Sequence, residues 1–329
     1  MLRSYVRIIV FPMVLTALGI AQASLAEAQQ LLKARLAFPV NSVAFSSYKI
    51  ALKKGFYKKE GLDLEAIRMY GGLSIKAMIG GSMDFSASTG ALNAAARGIK
   101  IKVIATLADK SAMDVITRPD IKTVADLKGK KLAITGFGGL TELVARQWLT
   151  NNGLEPMKDV ILVAMGDQAK VVQSLKAKAV DAGLLSPPHN FVAMEAGLRN
   201  LGWTGKSVKT ISGVFSTTEK NIKENPKKVY AFVKGTLKGH LTFMYRKDIS
   251  MPIIMKWLNL EKAVAEKAWD AQIRISTKNG KVAGDLMRFT ADSVQKRLKL
   301  MTSVKPSQLF DYSFMNRALK EIKAEGWTP

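Results

Sequence analysis

From Leu32 onward the chain alternates between two hydrophobic periods. "KARLAFP" reads as a strand, and "FSSYKIALKKG" as a helix stopped by Gly55, the role a glycine commonly plays at a helix C-terminus. "LDLEAIRM" alternates apolar and polar with period two, as a half-buried strand does. "GGLSIKAMIGG" predicts a helix between glycine pairs, "MDFSAS" a strand, "ALNAAARG" a helix and "IKVIATL" a further strand. A β-α-β-α-β order argues for a mostly parallel sheet with helices on its faces.

A second unit of the same kind follows "RPDIKTVADLKGK". It holds the strand "KLAIT", a helix from about Leu140 to Thr150, the strand "DVILVAM", a helix from about Gln168 to Lys178 and the strand "VDAGLLS". After "KTISGVFSTTEKN" the pattern becomes wholly helical. Asn225-Pro226 reads as an N-cap followed by proline at the first helical position. Val229, Phe232, Val233, Leu237, Leu241, Met244 and Tyr245 then recur at spacings of three and four. Ser250 and Pro252 are read as starting another helix, and two more are expected from about Asp285 to Met301 and Tyr312 to Lys323. A tail without strands must cover one of the two units. A chain that crosses to the second unit near Met113 to Arg118 and returns near Thr210 to Phe215 places the tail on the first.

Composition narrows the classes. The chain of 329 residues is 48% hydrophobic and 23% charged, with a net charge of +24. The basic residues are spread along the chain with no block of like charge, and no nucleic-acid-binding motif accompanies them. Nucleic acid is therefore not an expected partner. The first residues carry a different signal: Arg3 and Arg7, an apolar run from Ile8 to Ile20, then small-residue sites at Ala21-Gln22-Ala23, Ser24-Leu25-Ala26 and Ala26-Glu27-Ala28. This is the layout of a secretory signal peptide. The apolar run is shorter than the ~20 residues needed to span a bilayer. Residues 1–28 are expected to be cleaved, leaving a mature chain in the periplasm. Cysteine is absent, so no disulfide, thiolate metal site or lipid-bearing cysteine can form.

Candidate chemistry centres on "TGFGGLT", where a strand feeds glycines into a helix. A dinucleotide fingerprint needs G-x-G-x-x-G and an acidic residue about twenty positions on. Here Thr141 stands at the third glycine, and the acidic residue after the next strand, Asp167, comes later than that spacing allows. What survives is a set of backbone N–H groups at the positive end of a helix dipole, suited to an anionic or acceptor-rich group, or else only a tight turn. Candidates here are Thr135, Gly136, Phe137, Gly138, Gly139 and Thr141, with Phe137 the apolar one. Three loops of the first unit offer similar short donors: Asn41, Ser42 and Phe45; Gly71, Gly72 and Ser74; Ser88, Thr89 and Gly90. Helix capping is the competing role for each. His240 falls on an apolar helical stripe and reads as structural, and four of the five tryptophans, Trp148, Trp257, Trp269 and Trp327, as core. No zinc, serine-hydrolase or P-loop motif occurs, so no metal, cofactor or catalytic residue is expected.

The ordered segments "ALKKGFYKKEGLDLE", "GGSMDFSASTGALNAAARGIKIKVIA", "IKTVADLKGKKLAI", "LKAKAVDAGLLSPP" and "TEKNIKENPKKVYAFVKGTLKG" resemble the solute-binding proteins of bacterial ATP-binding-cassette importers. The branch is the one containing nitrate-, taurine- and alkanesulfonate-binding proteins and the thiamine-pyrimidine-precursor group. The resemblance implies a type II periplasmic binding protein fold: two α/β lobes with a mostly parallel sheet each, two hinge strands, and the helical C-terminal tail packed on lobe 1. It places lobe 1 at 29–115 and 212–329 and lobe 2 at 116–211. By position, Pro187, His189 and Asn190 of "LLSPPHNF" join the cleft, while Leu185 and Ser186 stand where many relatives carry tryptophan and an acidic residue. The resemblance further implies a monomer that binds a small anionic or acceptor-rich organic solute, such as a sulfonate, nitrate, carboxylate or pyrimidine precursor. It would deliver the solute to a membrane permease and its ATPase. An exported enzyme on the same scaffold is the alternative.

Overall fold

The computed structural model describes residues 30–329; the leader expected at 1–28 lies outside the described residues. Strands β1 (Leu32–Phe38), β2 (Leu62–Arg68), β3 (Phe85–Ser86) and β4 (Ile101–Ala108) come first. Then follow β5 (Asp114–Thr117), β6 (Lys130–Ile134), β7 (Val160–Ala164), β8 (Ala182–Leu185), β9 (Arg199–Trp203) and β10 (Ser212–Thr218). They form two sheets, ordered β2-β1-β3-β10-β4 and β7-β6-β8-β5-β9. In the first, β1 pairs parallel with β2 and β3, and β10 runs antiparallel to β3 and β4. In the second, β6 pairs parallel with β7 and β8, and β5 runs antiparallel to β8 and β9. Each sheet is thus mostly parallel in direction. The strand that runs against its neighbours is the one that has just arrived from the other sheet, through residues 109–113 or 204–211.

Helices α1 (Ser46–Lys53), α2 (Phe56–Lys59), α3 (Gly71–Ile79) and α4 (Gly90–Ala96) connect the first sheet. Helices α5 (Leu140–Asn151), α6 (Gln168–Lys176) and α7 (His189–Glu195) connect the second. After β10 come α8 (Glu219–Glu224), α9 (Pro226–Tyr245), α10 (Lys247–Leu258), α11 (Lys262–Ile273), α12 (Gly284–Leu298), α13 (Pro306–Leu309) and α14 (Ser313–Ala324). On one face of the first sheet Leu36, Phe85 and Phe215 pack against Phe232 and Leu237 of α9 and Met315 of α14. On the other, Ala37, Val103 and Val214 meet Ile75 of α3, Leu92 of α4 and Val294 of α12. In the second sheet Leu132 and Leu184 pack on Val144 and Trp148 of α5, and Ala133 on Val171 and Leu175 of α6. Each of the larger aliphatic and aromatic side chains among these, removed from water, contributes about 1.5–3 kcal/mol.

Several expectations change in the folded chain. "MDFSAS" yields only a two-residue strand, β3. Pro252 lies inside α10, which starts at Lys247, and Ser250 donates its hydroxyl to the Thr242 carbonyl instead of capping. Asn225 occupies the N-cap of α9 without a side-chain capping bond, while Pro226 sits at the first turn as expected. Trp148 is buried, but Trp257, Trp269 and Trp327 are half-buried at the edges of the core. The tail also supplies extended backbone to the first sheet. Thr277 N–H donates to Leu107, Asp109 N–H to Ile275, Thr106 N–H to Gly280 and Asp311 N–H to Val103. These bonds cover the outer edge of β4, which would otherwise present unpaired backbone groups.

The tail is locked down at two points on α9. A methyl group added at Gly239 would sit 2.1 Å from the Ser47 carbonyl oxygen, so α1 and α9 meet backbone to backbone. One residue on, the fully buried His240 has Ser47 Oγ 3.1 Å from Nδ1 and the Thr277 carbonyl 2.6 Å from Nε2. The carbonyl can only accept, so Nε2 carries the proton and Nδ1 accepts from Ser47. Burial lowers the His240 pKa to about 4, against the opposing pull of the Thr277 carbonyl.

Two tests follow. Gly239→Ala should lower stability by about 1–3 kcal/mol, despite alanine's better helix propensity, and thermal unfolding would show it; an unchanged or higher midpoint would contradict the close approach. Histidine in an unfolded chain titrates near 6.5, so the contribution of neutral His240 is complete above about that pH and is lost as pH falls toward 4. The loss is on the order of 3 kcal/mol. Unfolding of a His240→Gln variant between pH 7 and pH 4.5 should show a shallower decline than the parent chain.

Candidate ligand-binding site

A cavity of about 150 Å³ lies where the two sheets face each other. A cavity of that size accommodates a benzene-sized molecule. Its walls come from the carboxyl ends of six strands, three in each sheet. Pro39 follows β1, Tyr70 follows β2, and Ser88 and Thr89 follow β3; Thr135 follows β6, Gln168 follows β7, and Ser186 follows β8. Ala112 and Met113 of the first link lie on one side, and Ser212, Gly213 and Val214, the first residues of β10, on the other. Loops at strand carboxyl ends are where open α/β sheets bind ligands, and here two such edges are opposed. Gly213, the second residue of β10, has φ +59°, a conformation that favours glycine.

The cleft is closed. Ser42 Oγ donates to the Pro187 carbonyl at 2.7 Å and lies 3.3 Å from Ser186 Oγ. Arg68, at the end of β2, pairs with Asp167 at 3.0 Å. The first turns of α3 and α5 approach until a methyl group on Gly71 would lie 3.9 Å from the Gly139 Cα. Tyr70 lies over Gly166.

The glycine turn before α5 is occupied from within the chain. Gly138 N–H donates to Glu142 Oε2 at 2.6 Å, and Glu142 pairs with Arg146 at 2.8 Å. Thr135 N–H donates to Thr141 Oγ1, whose hydroxyl is 2.8 Å from that of Thr135. The Glu142 carboxylate thus lies in the first turn of α5 and holds the turn before it, while the N-cap residue, Gly139, has no side chain to cap the helix. Asp167 caps α6 directly, accepting from Ala169 N–H at 2.7 Å. Like α5, α3 has no side-chain cap, and unlike α5 it has no acidic residue in its first turn.

Of the residues singled out in the sequence, the fold brings Ser42, Phe45, Gly71, Gly72, Ser88 and Thr89 to one wall of this cavity. Thr135, Gly136, Phe137, Gly139 and Thr141 stand on the opposite wall, Phe137 with half its surface still open. The others lie elsewhere. Ser74 turns back to the Gly71 carbonyl and to Ser86, Gly90 N–H donates to Ser88 Oγ, and Gly138 faces a neighbouring crevice. Pro187 offers only its carbonyl to Ser42. Asn190 is buried and donates to Asp114 at 2.6 Å. Burial raises the Asp114 pKa against that hydrogen bond. Asn41 and His189 line a separate cavity of about 250 Å³ with Arg68, Asp167 and Trp257. Burial lowers the His189 pKa, opposed by nearby Asp167.

The sequence reading missed Gln168, Ser212 and Gln272. Gln168 holds Ser186 by two bonds, accepting from its backbone N–H at 2.8 Å and donating to its hydroxyl at 2.9 Å. Gln272 comes from α11, a helix of the tail whose weak apolar stripe did not announce it. Its side chain is buried, and its Oε1 has no hydrogen-bond partner. The cavity wall contains no Lys, Arg, His, Asp or Glu among the described residues. The positive charge gathers outside, as in an open groove of about 920 Å³ along the links that carries Lys110, Lys206, Lys209, Lys278 and Lys281. The cavity hydroxyls bond to one another, to backbone or to Gln168, never to a general base among the described residues.

Comparison with known proteins agrees with this architecture. A binding protein of Brucella abortus (strain 2308) is 28% identical over 252 residues, covering 74% of this chain and 75% of its own. The crystal structure of the periplasmic nitrate-binding protein NrtA from Synechocystis PCC 6803 superposes with a TM-score of 0.72 at 17% identity, over 90% of this chain and 91% of that one. The periplasmic aliphatic sulphonate binding protein SsuA from Escherichia coli gives 0.66 at 17% identity, over 85% and 92%. These two structures share the two-lobed periplasmic binding fold. The NMT1/THI5-like family model matches residues 42–247, from the first loop of the cavity through both links to the end of α9, and the chain belongs to that family.

Proposed function

We propose that this protein is the solute-binding component of an ATP-binding-cassette importer. It captures a small organic solute between lobe 1 (29–115 and 212–329) and lobe 2 (116–211) and delivers it to a membrane permease driven by an ATPase. The observation that carries this reading is the cavity walled by three strand ends from each sheet, with two links joining the sheets. A ligand seated there touches both lobes, so its differential affinity favours closure. The open form exposes the site, and the closed form offers the permease a distinct surface. The leader at 1–28 would bring the chain to the periplasm, where it acts as a monomer. The ligand-binding set on this reading is Ser42, Phe45, Gly71, Gly72, Ser88, Thr89, Thr135, Gly136, Phe137, Gly139 and Thr141, joined by Gln272.

The direct test is thermal-shift screening of small solutes, then calorimetry and small-angle scattering of the mature chain. Stoichiometric binding, a smaller radius of gyration and an unconsumed solute are expected. Turnover of the bound compound would refute the carrier role. Gly139→Asp tests the cavity assignment. Gly139 is the N-cap of α5 in extended conformation, and an added Cβ meets nothing closer than 3.9 Å. Aspartate is a good N-cap, so the unfolding midpoint should hold or rise while calorimetric affinity falls at least tenfold. Unchanged affinity would place the ligand elsewhere.

A further inference from the structure

We infer that the cavity selects an uncharged solute bearing an amide-like donor and acceptor, and that Gln272 of the C-terminal tail reads it. This inference rests on the importer reading of the same cavity. An ion carried out of water needs an opposite charge or a full set of directed donors, and the wall provides no ionised side chain among the described residues. Helix N-termini are the usual substitute for a cation. At α5 and α6 a carboxylate already stands in or beside the first turn: Glu142, which accepts from Gly138 N–H, and Asp167, the N-cap of α6, each paired with an arginine, Arg146 and Arg68. The N-terminus of α3 at Gly71 and Gly72 has no such carboxylate, and its first-turn N–H groups suit an acceptor such as a carbonyl oxygen. The second observation is Gln272, 4% exposed, lining the cavity with its Oε1 unpartnered. A buried amide in that condition is completed by a ligand group offering a hydrogen bond.

Helix α11 is placed to make Gln272 responsive to closure. It packs on the turn Val43–Phe45 of lobe 1 and on α7 of lobe 2. Lys267 of α11 lies 3.8 Å from Glu195 at the end of α7. Just past the helix, Arg274 stacks over the ring of Trp203 at 5.7 Å. The tail thus touches both lobes at the level of the cavity.

The test uses near-isosteric pairs that differ in charge: urea and nitrate, acetamide and acetate, benzamide and benzoate. Calorimetry on the mature wild-type chain should show the uncharged member of at least one pair binding tenfold or more tightly than its anion, with an affinity insensitive to salt. In Gln272→Leu, and in the unbranched Gln272→Met should leucine fail to fold, that affinity should drop about tenfold. Tighter binding of nitrate, acetate or benzoate overturns the proposal and leaves the importer reading standing, as does binding to neither member of any pair. An amide affinity unchanged in both variants overturns the role of Gln272. Release of ammonia from a bound amide would instead count against the importer reading.

Discussion

The direction of two strands governs the rest of this molecule. The chain leaves the first sheet at the carboxyl end of β4 and enters the second through a short link, so β5 must start at the cleft and run away from it. The same holds for β9, the second link and β10. Short links at that edge force the carboxyl ends of the remaining strands to face each other. The loops that follow β1, β2, β3, β6, β7 and β8 then have nowhere to converge except on one another, and the cavity is the space they leave.

The helical tail contributes more than cover. It closes the exposed edge of β4 with backbone bonds from residues 275–280 and 311, and it anchors itself through the contact of Gly239 with α1 and the buried bonds of His240. Further out, Lys234 and Lys238 are buried yet paired with Glu60, Glu321 and Glu325, which ties α9 to α2 and α14. Removing one partner of such a group would leave an uncompensated charge out of water. From this fixed frame α11 reaches the cleft and presents Gln272.

A net charge of +24 invites the idea of an anion site, yet the cation side chains stay away from the cavity. Arginines near the cleft are committed to Asp167 and Glu142, and lysines gather along the open groove by the links. Charge seen across a whole chain acts mainly on approach in solution, and salt screens it beyond ~8 Å. The chemistry of the wall is set by neutral hydroxyls, amides and aromatic rings.

The sequence by itself determined the alternation of strands and helices, the two units and the glycine turn at α5, because these are local: they depend on periodicity and on residues within a few positions. Its ordered segments also carried the family. It led to eleven residues that line the cavity, since loops after strands can be found by counting strands. What the tertiary structure alone decided depends on contacts between distant residues. Glu142 takes the N–H of Gly138, Asn190 turns to Asp114, and His189 falls in a neighbouring cavity. The two-residue β3, Pro252 inside α10, and the whole of α11 with Gln272 follow from packing against elements far along the chain, and no local pattern encodes which partner will be there.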